Sequence, residues 1–157
     1  MDGLPPAGHL SSLVTLLASV FTNQTPESIA DDLHAHQAYP AFRTELALLD
    51  EVVVGCKLGY ESEPDRFYSW LGCVRTDCRG QGIAAGLMTQ QHDWCQQQGY
   101  RSIRTQTYNQ WRSMLLLNIR AGFDIVGTEP GRYGLKIVLE KTLWPLAGRR
   151  NDLPHSG

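Results

Sequence analysis

Between residues 74 and 88 the chain reads Val-Arg-Thr-Asp-Cys-Arg-Gly-Gln-Gly-Ile-Ala-Ala-Gly-Leu-Met, an order of residue types suited to capturing an anion. An apolar strand ending in Val74 runs into a turn carrying Arg79, Gly80 and Gly82, and a helix with an apolar stripe follows at once. A helix start leaves its first backbone N–H groups without partners and carries a partial positive charge, so a start opened by glycines seats a phosphate or diphosphate. Gly80 and Gly82 remove the Cβ atoms that would hold such a ligand off the backbone. Arg79 adds a fixed positive charge.

Three loop types could own this site. The lysine-containing phosphate loop requires Gly-Lys-Ser/Thr after its first glycine and four residues, and no lysine follows Gly82 or Gly86. The dinucleotide fingerprint is matched by Gly80, Gly82 and Ala85, but it also requires an acid about 20 residues on to bind a ribose. The next strand, Ser102-Ile103-Arg104-Thr105-Gln106-Thr107, ends in Tyr108-Asn109 with no carboxylate. The third type, Arg/Gln-x-x-Gly-x-Gly/Ala, is met by Arg79, Gly82 and Ala84, and it resembles the coenzyme A diphosphate loop of the GCN5-related N-acetyltransferase (GNAT) superfamily. Downstream, residues 108–123 read Tyr-Asn-Gln-Trp-Arg-Ser-Met-Leu-Leu-Leu-Asn-Ile-Arg-Ala-Gly-Phe. This stretch resembles the late helix of the same superfamily, with Asn109 as an N-cap, Trp111, Met114, Leu115 and Asn118 at helical spacing, and Gly122 at the C′ position. A glycine turn or a Met/Leu core stripe would account for each piece alone, but not for the two in this order. The resemblance spans about residues 46–143.

The resemblance implies an α/β single-domain fold, a mixed, mostly antiparallel sheet with helices on both faces. It implies acetyl-CoA as co-substrate and no metal. The diphosphate would lie on Gly80, Gln81, Gly82, Ile83, Ala84 and Ala85 with Arg79 nearby. The pantetheine arm would pair with the strand ending Gly72, Cys73, Val74, with Asn109 and Asn118 on its far side. The implied reaction is direct transfer of the acetyl group, in a ternary complex, to a primary amine of a small molecule or protein. Its oxyanion would be met by a backbone N–H near Cys73 or Val74. Many members carry a tyrosine acid where this chain has Asn118, so Tyr108 and Tyr133 stand in as candidate acids. Glu61, Glu63 and Asp65 are candidate bases, each also readable as a solvated loop carboxylate. Cys73, a candidate nucleophile because it should lie near the thioester, also reads as a buried packing residue. The alternatives are a non-catalytic acyl-CoA-binding module, which Asn118 would permit, and a dinucleotide-binding oxidoreductase, against which the absent ribose acid argues.

These residues require elements to position them. Residues 1–9 read as a loose lead with two prolines. Ser11 or Ser12 is the expected cap of a helix through Phe21, and Thr25-Pro26 opens a second to about Gln37. Strands are expected over 46–49 and 52–60, joined by a tight Asp50-Glu51 turn, then over 67–74 after a polar loop, 61–66. The loop helix should run over 82–98, burying Ile83, Ala84, Leu87, Met88, Trp94 and Cys95. A strand over 103–107, the Asn109 helix, strands over 125–127 and 135–140, and a frayed tail over 144–157 complete the series. The superfamily's usual first strand finds poor support in residues 1–9.

At 157 residues the chain reads as one domain, large enough to bury roughly two-thirds of its unfolded surface. Charged residues make up 19% and the net charge is -2, which gives no electrostatic case for nucleic acid or an anionic membrane. Cys56, Cys73, Cys78 and Cys95 form no C-x-x-C pair, and no signal peptide or long apolar span is visible, so reduced thiols and a cytoplasmic location are expected. His34 and His36 do not share a helix face, so zinc is not expected. Relatives in the superfamily are often homodimers.

Overall fold

The computed structural model describes residues 1–143; the tail expected over 144–157 lies outside them. Helix α1 (Ala7–Val20) and helix α2 (Pro26–His36) precede three strands, β1 (Arg43–Leu49), β2 (Val52–Glu63) and β3 (Arg66–Val74). A short 3₁₀ turn, Thr76–Cys78, leads into helix α3 (Ile83–Gln97). Strand β4 (Ser102–Tyr108), helix α4 (Arg112–Arg120), β5 (Asp124–Gly131) and β6 (Gly134–Thr142) follow. The six strands lie in the order β1-β2-β3-β4-β6-β5, and only β3 and β4 are parallel. This is the mixed, mostly antiparallel sheet expected, with helices on both faces.

Local chemistry explains most element ends. Thr25 Oγ1 accepts the Ser28 N–H at 3.1 Å and Pro26 fills the first helical position of α2. Asp50 and Glu51 both adopt positive φ, 50° and 65°, the backbone of a two-residue hairpin turn. Gly122, at φ 100°, terminates α4, and the Phe123 N–H returns to the Asn118 carbonyl at 3.1 Å.

Several boundaries differ from expectation. Helix α1 begins at Ala7, so neither serine caps it; the Ser12 hydroxyl instead accepts the Val53 N–H at 2.8 Å. The helix holds without a side-chain cap because Leu13, Leu16 and Leu17 are buried, each contributing about 1.5–3 kcal/mol against about 1 kcal/mol for a cap. Residues 1–3 are pinned along β1, with Thr44 N–H to the Met1 carbonyl at 3.0 Å and Gly3 N–H to the Phe42 carbonyl at 2.9 Å. The first strand in question is a single bridge, Asp2 to Arg43. The polar loop shrinks to Pro64-Asp65, because β2 continues through Glu63. Asn109 does not cap α4: its N–H pairs with the Leu135 carbonyl at 2.8 Å, and Trp111 occupies the cap position.

Two apolar layers hold the sheet. Leu13, Leu17, Ile29 and Leu33 of α1 and α2 pack on Val53, Cys56, Leu58 and Cys73. On the other face Met88 and Cys95 of α3 and Leu115 of α4 pack on Phe67, Ile103, Ile137 and Leu139. The first layer contains no residue of β4, β5 or β6.

Candidate functional site

Strands β3 and β4 part company partway along. Their pairing runs from Arg66–Ser102 to Ser69–Thr105 and ends there, although β3 continues to Val74 and β4 to Tyr108. The cause lies on the other side of β3. Leu58 opposes Leu71 and Gly59 opposes Ser69, leaving Trp70 as an extra residue, and such a bulge bends its strand and increases its twist. The Thr105 hydroxyl closes the angle, donating to the Ser69 carbonyl at 2.9 Å. Beyond it the strands form a wedge.

Backbone parity determines which groups face the wedge. The Arg75 N–H bonds the Val54 carbonyl at 2.7 Å while Val74 stands opposite Gly55. Val74 and, two residues back, Gly72 are therefore the non-hydrogen-bonded positions of the β2–β3 ladder. Their N–H and C=O groups point away from β2, toward β4. Those of Cys73 point toward β2, and its thiol lies buried 3.7 Å from Cys56 Sγ. Gly72 and Val74, not Cys73, thus offer backbone to a strand-like ligand. All four cysteines are free and buried.

At the wide end of the wedge stands the start of α3. Gly80 and Gly82 adopt φ 78° and 80°, so the turn itself requires glycine at both. A side chain at Gly82 is strained before any ligand arrives. The first helical bond runs from Gly86 N–H to the Gly82 carbonyl at 2.9 Å, so the amides of Ile83, Ala84 and Ala85 precede it without intrahelical acceptors. No side chain caps this end and no acid occupies its first turn. A Cβ built on Gly80, Gly82 or Gly86 meets nothing within 4 Å. The Arg79 guanidinium is exposed beside this opening, its Nε donating to the Val74 carbonyl at 3.2 Å. Unpaired donors, a positive charge and open space together form a seat for an oxyanion-rich group.

Behind the wedge, on the α3 and α4 face, lie buried polar groups. Asn118 Oδ1, Ser69 Oγ and Thr107 Oγ1 have no hydrogen-bond partner among the described residues. Lys141 Nζ lies 3.1 Å from His92 Nδ1. Burial first, then the charges of Lys141 and Lys57, push His92 down to about 3, so the ring is neutral near pH 7 and its proton is assigned to Nε2. Burial pushes Lys57 down to about 8. Gln91 and His92, on the inner stripe of α3, went unread in the sequence, although they fall at i+3 and i+4 from Met88. Lys57 was also missed, although it is the one charge inside the apolar run of β2.

The opposite face carries a second group of side chains. Asn23, in the α1–α2 loop, donates to the Tyr133 hydroxyl at 2.6 Å. Tyr108 meets Trp111 at 5.0 Å and Tyr133 at 5.9 Å between ring centroids. The Gln106 amide donates to Glu129 at 3.3 Å, one residue beyond the last β3–β4 pair. Glu129 had no local signal in the sequence. Asn109, half-buried at the end of β4, stays near Tyr108 through its bond to Leu135. Glu61 does not reach the wedge: it pairs with Phe67 at the closed end and accepts the Tyr100 hydroxyl at 2.9 Å. From Phe67 to Gly72 is about 16 Å along the strand. Glu63 and Asp65 lie farther out still.

Among the described residues no group of three or more His, Cys, Asp or Glu side chains could hold a metal, and no helix is long and apolar enough to cross a membrane.

Residues 10–113 match the family model of the acetyltransferase (GNAT) family. The curated proteins provide no match. Among solved structures, an aminoglycoside 6′-acetyltransferase type Ii superposes with a TM-score of 0.80 at 18% identity, over 94% of this chain and 98% of that one. Ard1 from Thermoplasma volcanium gives 0.77 at 19% identity, over 90% and 95%. An aminoglycoside 6′-N-acetyltransferase complexed with coenzyme A gives 0.75 at 16% identity, over 91% and 94%. At these identities the likeness to the structures speaks for the fold.

Proposed function

This chain belongs to the GNAT acetyltransferase family, and from that premise we propose that it moves an acetyl group from acetyl-CoA to a primary amine, working as one domain in the cytoplasm. The observation that carries the proposal is the uncapped start of α3 at the mouth of the β3–β4 wedge. There the amides of Ile83, Ala84 and Ala85, with Arg79 beside them, would hold the diphosphate, while Gly80, Gln81 and Gly82 supply the turn that leaves them open. Gly72 and Val74 would pair with the pantetheine arm as an added strand does. Asn109 and Asn118 would line its far side.

Acetyl-CoA, when bound, supplies an activated thioester: the amine nitrogen forms the new C–N bond, the C–S bond breaks, and sulfur keeps the electron pair. The chain's own contribution is positioning, a donor for the oxyanion, and two proton transfers. An N–H of this β3 edge, at Gly72 or Val74, both free because parity turns them from β2, is the backbone donor. Glu129 is the carboxylate placed on the open face near the wedge, and it takes the amine proton through water, a role that Glu61 is too distant to fill. Tyr108 gives a proton to the leaving sulfur in place of the tyrosine that Asn118 replaces.

The acceptor enters from the face without helices over β4–β6, between the α1–α2 loop and the Tyr133 hairpin, and is a small molecule or a protein amino group. The test is incubation with acetyl-CoA and a panel of amines, following free thiol and acetylated product. Release dependent on an amine supports transfer. Binding of CoA without release would instead make the chain an acyl-CoA-binding module, the reading that Asn118 permits.

A further inference from the structure

Lys57 carries a buried positive charge with no carboxylate bonded to it among the described residues. It lies in the middle of β2, 8% exposed, on the face that α3 covers. Its direct partner across the β1–β2 pair is Glu45, an obvious counterion. Glu45, however, is already engaged by the Arg43 guanidinium and by the α-amino group of Met1 at 3.9 Å. Lys57 turns the other way, over β3. A Cβ placed on Gly72 would stand 3.4 Å from its Nζ and 3.6 Å from its Cδ. Gly72 is the direct β3 partner of Lys57, and its backbone groups face the wedge. The lysine thus lies over β3 where no side chain blocks it, its ammonium above the glycine whose backbone faces the wedge.

Further observations point to a ligand at this place. Ser69 Oγ and Thr107 Oγ1, on the two strands that flank the opening, are buried without a hydrogen-bond partner, and so is Asn118 Oδ1 on α4. Their residues are 2%, 4% and 2% exposed. A buried polar atom left unpaired costs about 1–3 kcal/mol, so the unpaired atoms on the two wedge strands and on α4 are groups that a polar ligand in the wedge would complete.

We propose that Lys57 is a catalytic residue, its ammonium donating a hydrogen bond to the carbonyl oxygen of the thioester held in the wedge. This rests on the acetyl-transfer reading of the site. As the acceptor nitrogen's lone pair forms the C–N bond, the carbonyl π pair moves onto the oxygen beside Lys57. It returns as the C–S bond breaks; the thiolate leaves and takes a proton from Tyr108, the nitrogen gives its proton through water to Glu129, and Lys57 keeps its own proton throughout. A lysine that burial holds close to losing its proton regains a reason to keep it when an oxyanion forms alongside. The titratable and charged groups around it are Cys56 on its own strand, Glu45 and Arg43 on β1, His92 and Cys95 on α3, and Lys141 beyond His92 on β6. None of them places a free carboxylate on Nζ.

The test compares Lys57→Met and Lys57→Gln with the unaltered protein by calorimetry and kinetics. CoA itself, which lacks the thioester carbonyl, should bind both variants within twofold of the parent. Acetyl-CoA should bind about tenfold more weakly, as loss of a charged hydrogen bond implies. The turnover rate should fall about a hundredfold, as for other lost oxyanion donors. In the parent, kcat/KM should fall as pH rises through about 8, and this limb should be absent from both variants. Lys57→Met should fold, since an apolar chain replaces a buried charge, and Lys57→Gln gives the same comparison if it does not. Unchanged acetyl-CoA affinity and turnover in either folded variant overturns the proposal. So does acetylation of Lys57 itself on incubation with acetyl-CoA, which would make it a nucleophile. If the unaltered protein binds CoA but releases no thiol with any amine, the transfer reading falls and this proposal with it; if it is active and the variants match it, only the role of Lys57 falls.

Discussion

Replacing Ala85 by glutamate separates the two roles of the α3 start. Ala85 is exposed in the first turn, three residues after Gly82, and this turn holds no acid and no side-chain cap. A carboxylate there complements the helix dipole, worth about 0.3–1 kcal/mol, so the fold should hold its stability or gain slightly. The same carboxylate would stand beside a seated diphosphate, at a separation of about 5 Å taken for the electrostatics. Two unit charges at that distance repel by about 1 kcal/mol in bulk water and about 3 kcal/mol at the effective dielectric of a protein surface. The dissociation constant for CoA should therefore rise roughly fivefold to 150-fold while the melting temperature does not fall. Calorimetry with CoA at two salt concentrations provides the assay: screening should shrink the loss at high salt, and Ala85→Gln should lose much less. If Ala85→Glu bound CoA as well as the parent did, the anion would not sit at this helix start, and the reasoning would be refuted.

Arg79→Ala should weaken CoA binding by about 1.5–3 kcal/mol, the range for a hydrogen bond to a charged group, with calorimetry as the check. Tyr108→Phe and Glu129→Gln should each lower turnover by about 10²-fold or more without changing CoA affinity. Equal loss of both quantities would make these residues structural. His92 gives a pH prediction with a definite sign. It binds its proton only near pH 3 in the folded state and near 6.5 when unfolded, so the unfolded chain binds more protons between those values. The stability is present above about pH 6.5 and is lost as pH falls, by about 2 kcal/mol at pH 5. Urea melts at pH 7 and pH 5 should show this loss in the parent and a smaller one in His92→Gln.

The sequence made some parts of this molecule legible because their signals are local. The strand, Arg-Gly-Gln-Gly turn and helix from Val74 onward form one continuous segment, and backbone rules alone place an anion seat there. Thr25-Pro26, Asp50-Glu51 and Gly122-Phe123 likewise carry their cap and turn chemistry within a few residues. The serines before α1 misled because a serine can bond elsewhere, and Ser12 serves Val53 on β2. Asn109 misled in the same manner, since β6 claimed its amide. Glycine at 82 was read as a means of close approach, yet its φ of 80° shows the turn needs it in any case. Gly82→Val would therefore test the backbone as much as the ligand.

The residues proposed for catalysis were less legible because they come from distant segments. Glu129 meets Gln106 across 23 residues and Asn23 meets Tyr133 across 110, and no spacing rule connects them. Glu61 looked available only while residues 61–66 were read as a loop. Pairing with Phe67 fixes it at the closed end of the sheet. Lys57 had a visible signal, a lone charge in an apolar strand, whose meaning appeared only when Glu45 proved to be occupied and Gly72 left the path open.

Titration of ¹⁵N-labelled protein with CoA, followed by the backbone amide shifts, reports whether a diphosphate sits on the amides that open α3. The shifts should saturate and be largest at Gly82, Ile83, Ala84 and Ala85, with smaller ones at Gly72 and Val74. Saturable binding that left the amides of Ile83, Ala84 and Ala85 unmoved, or no binding at all, would contradict it.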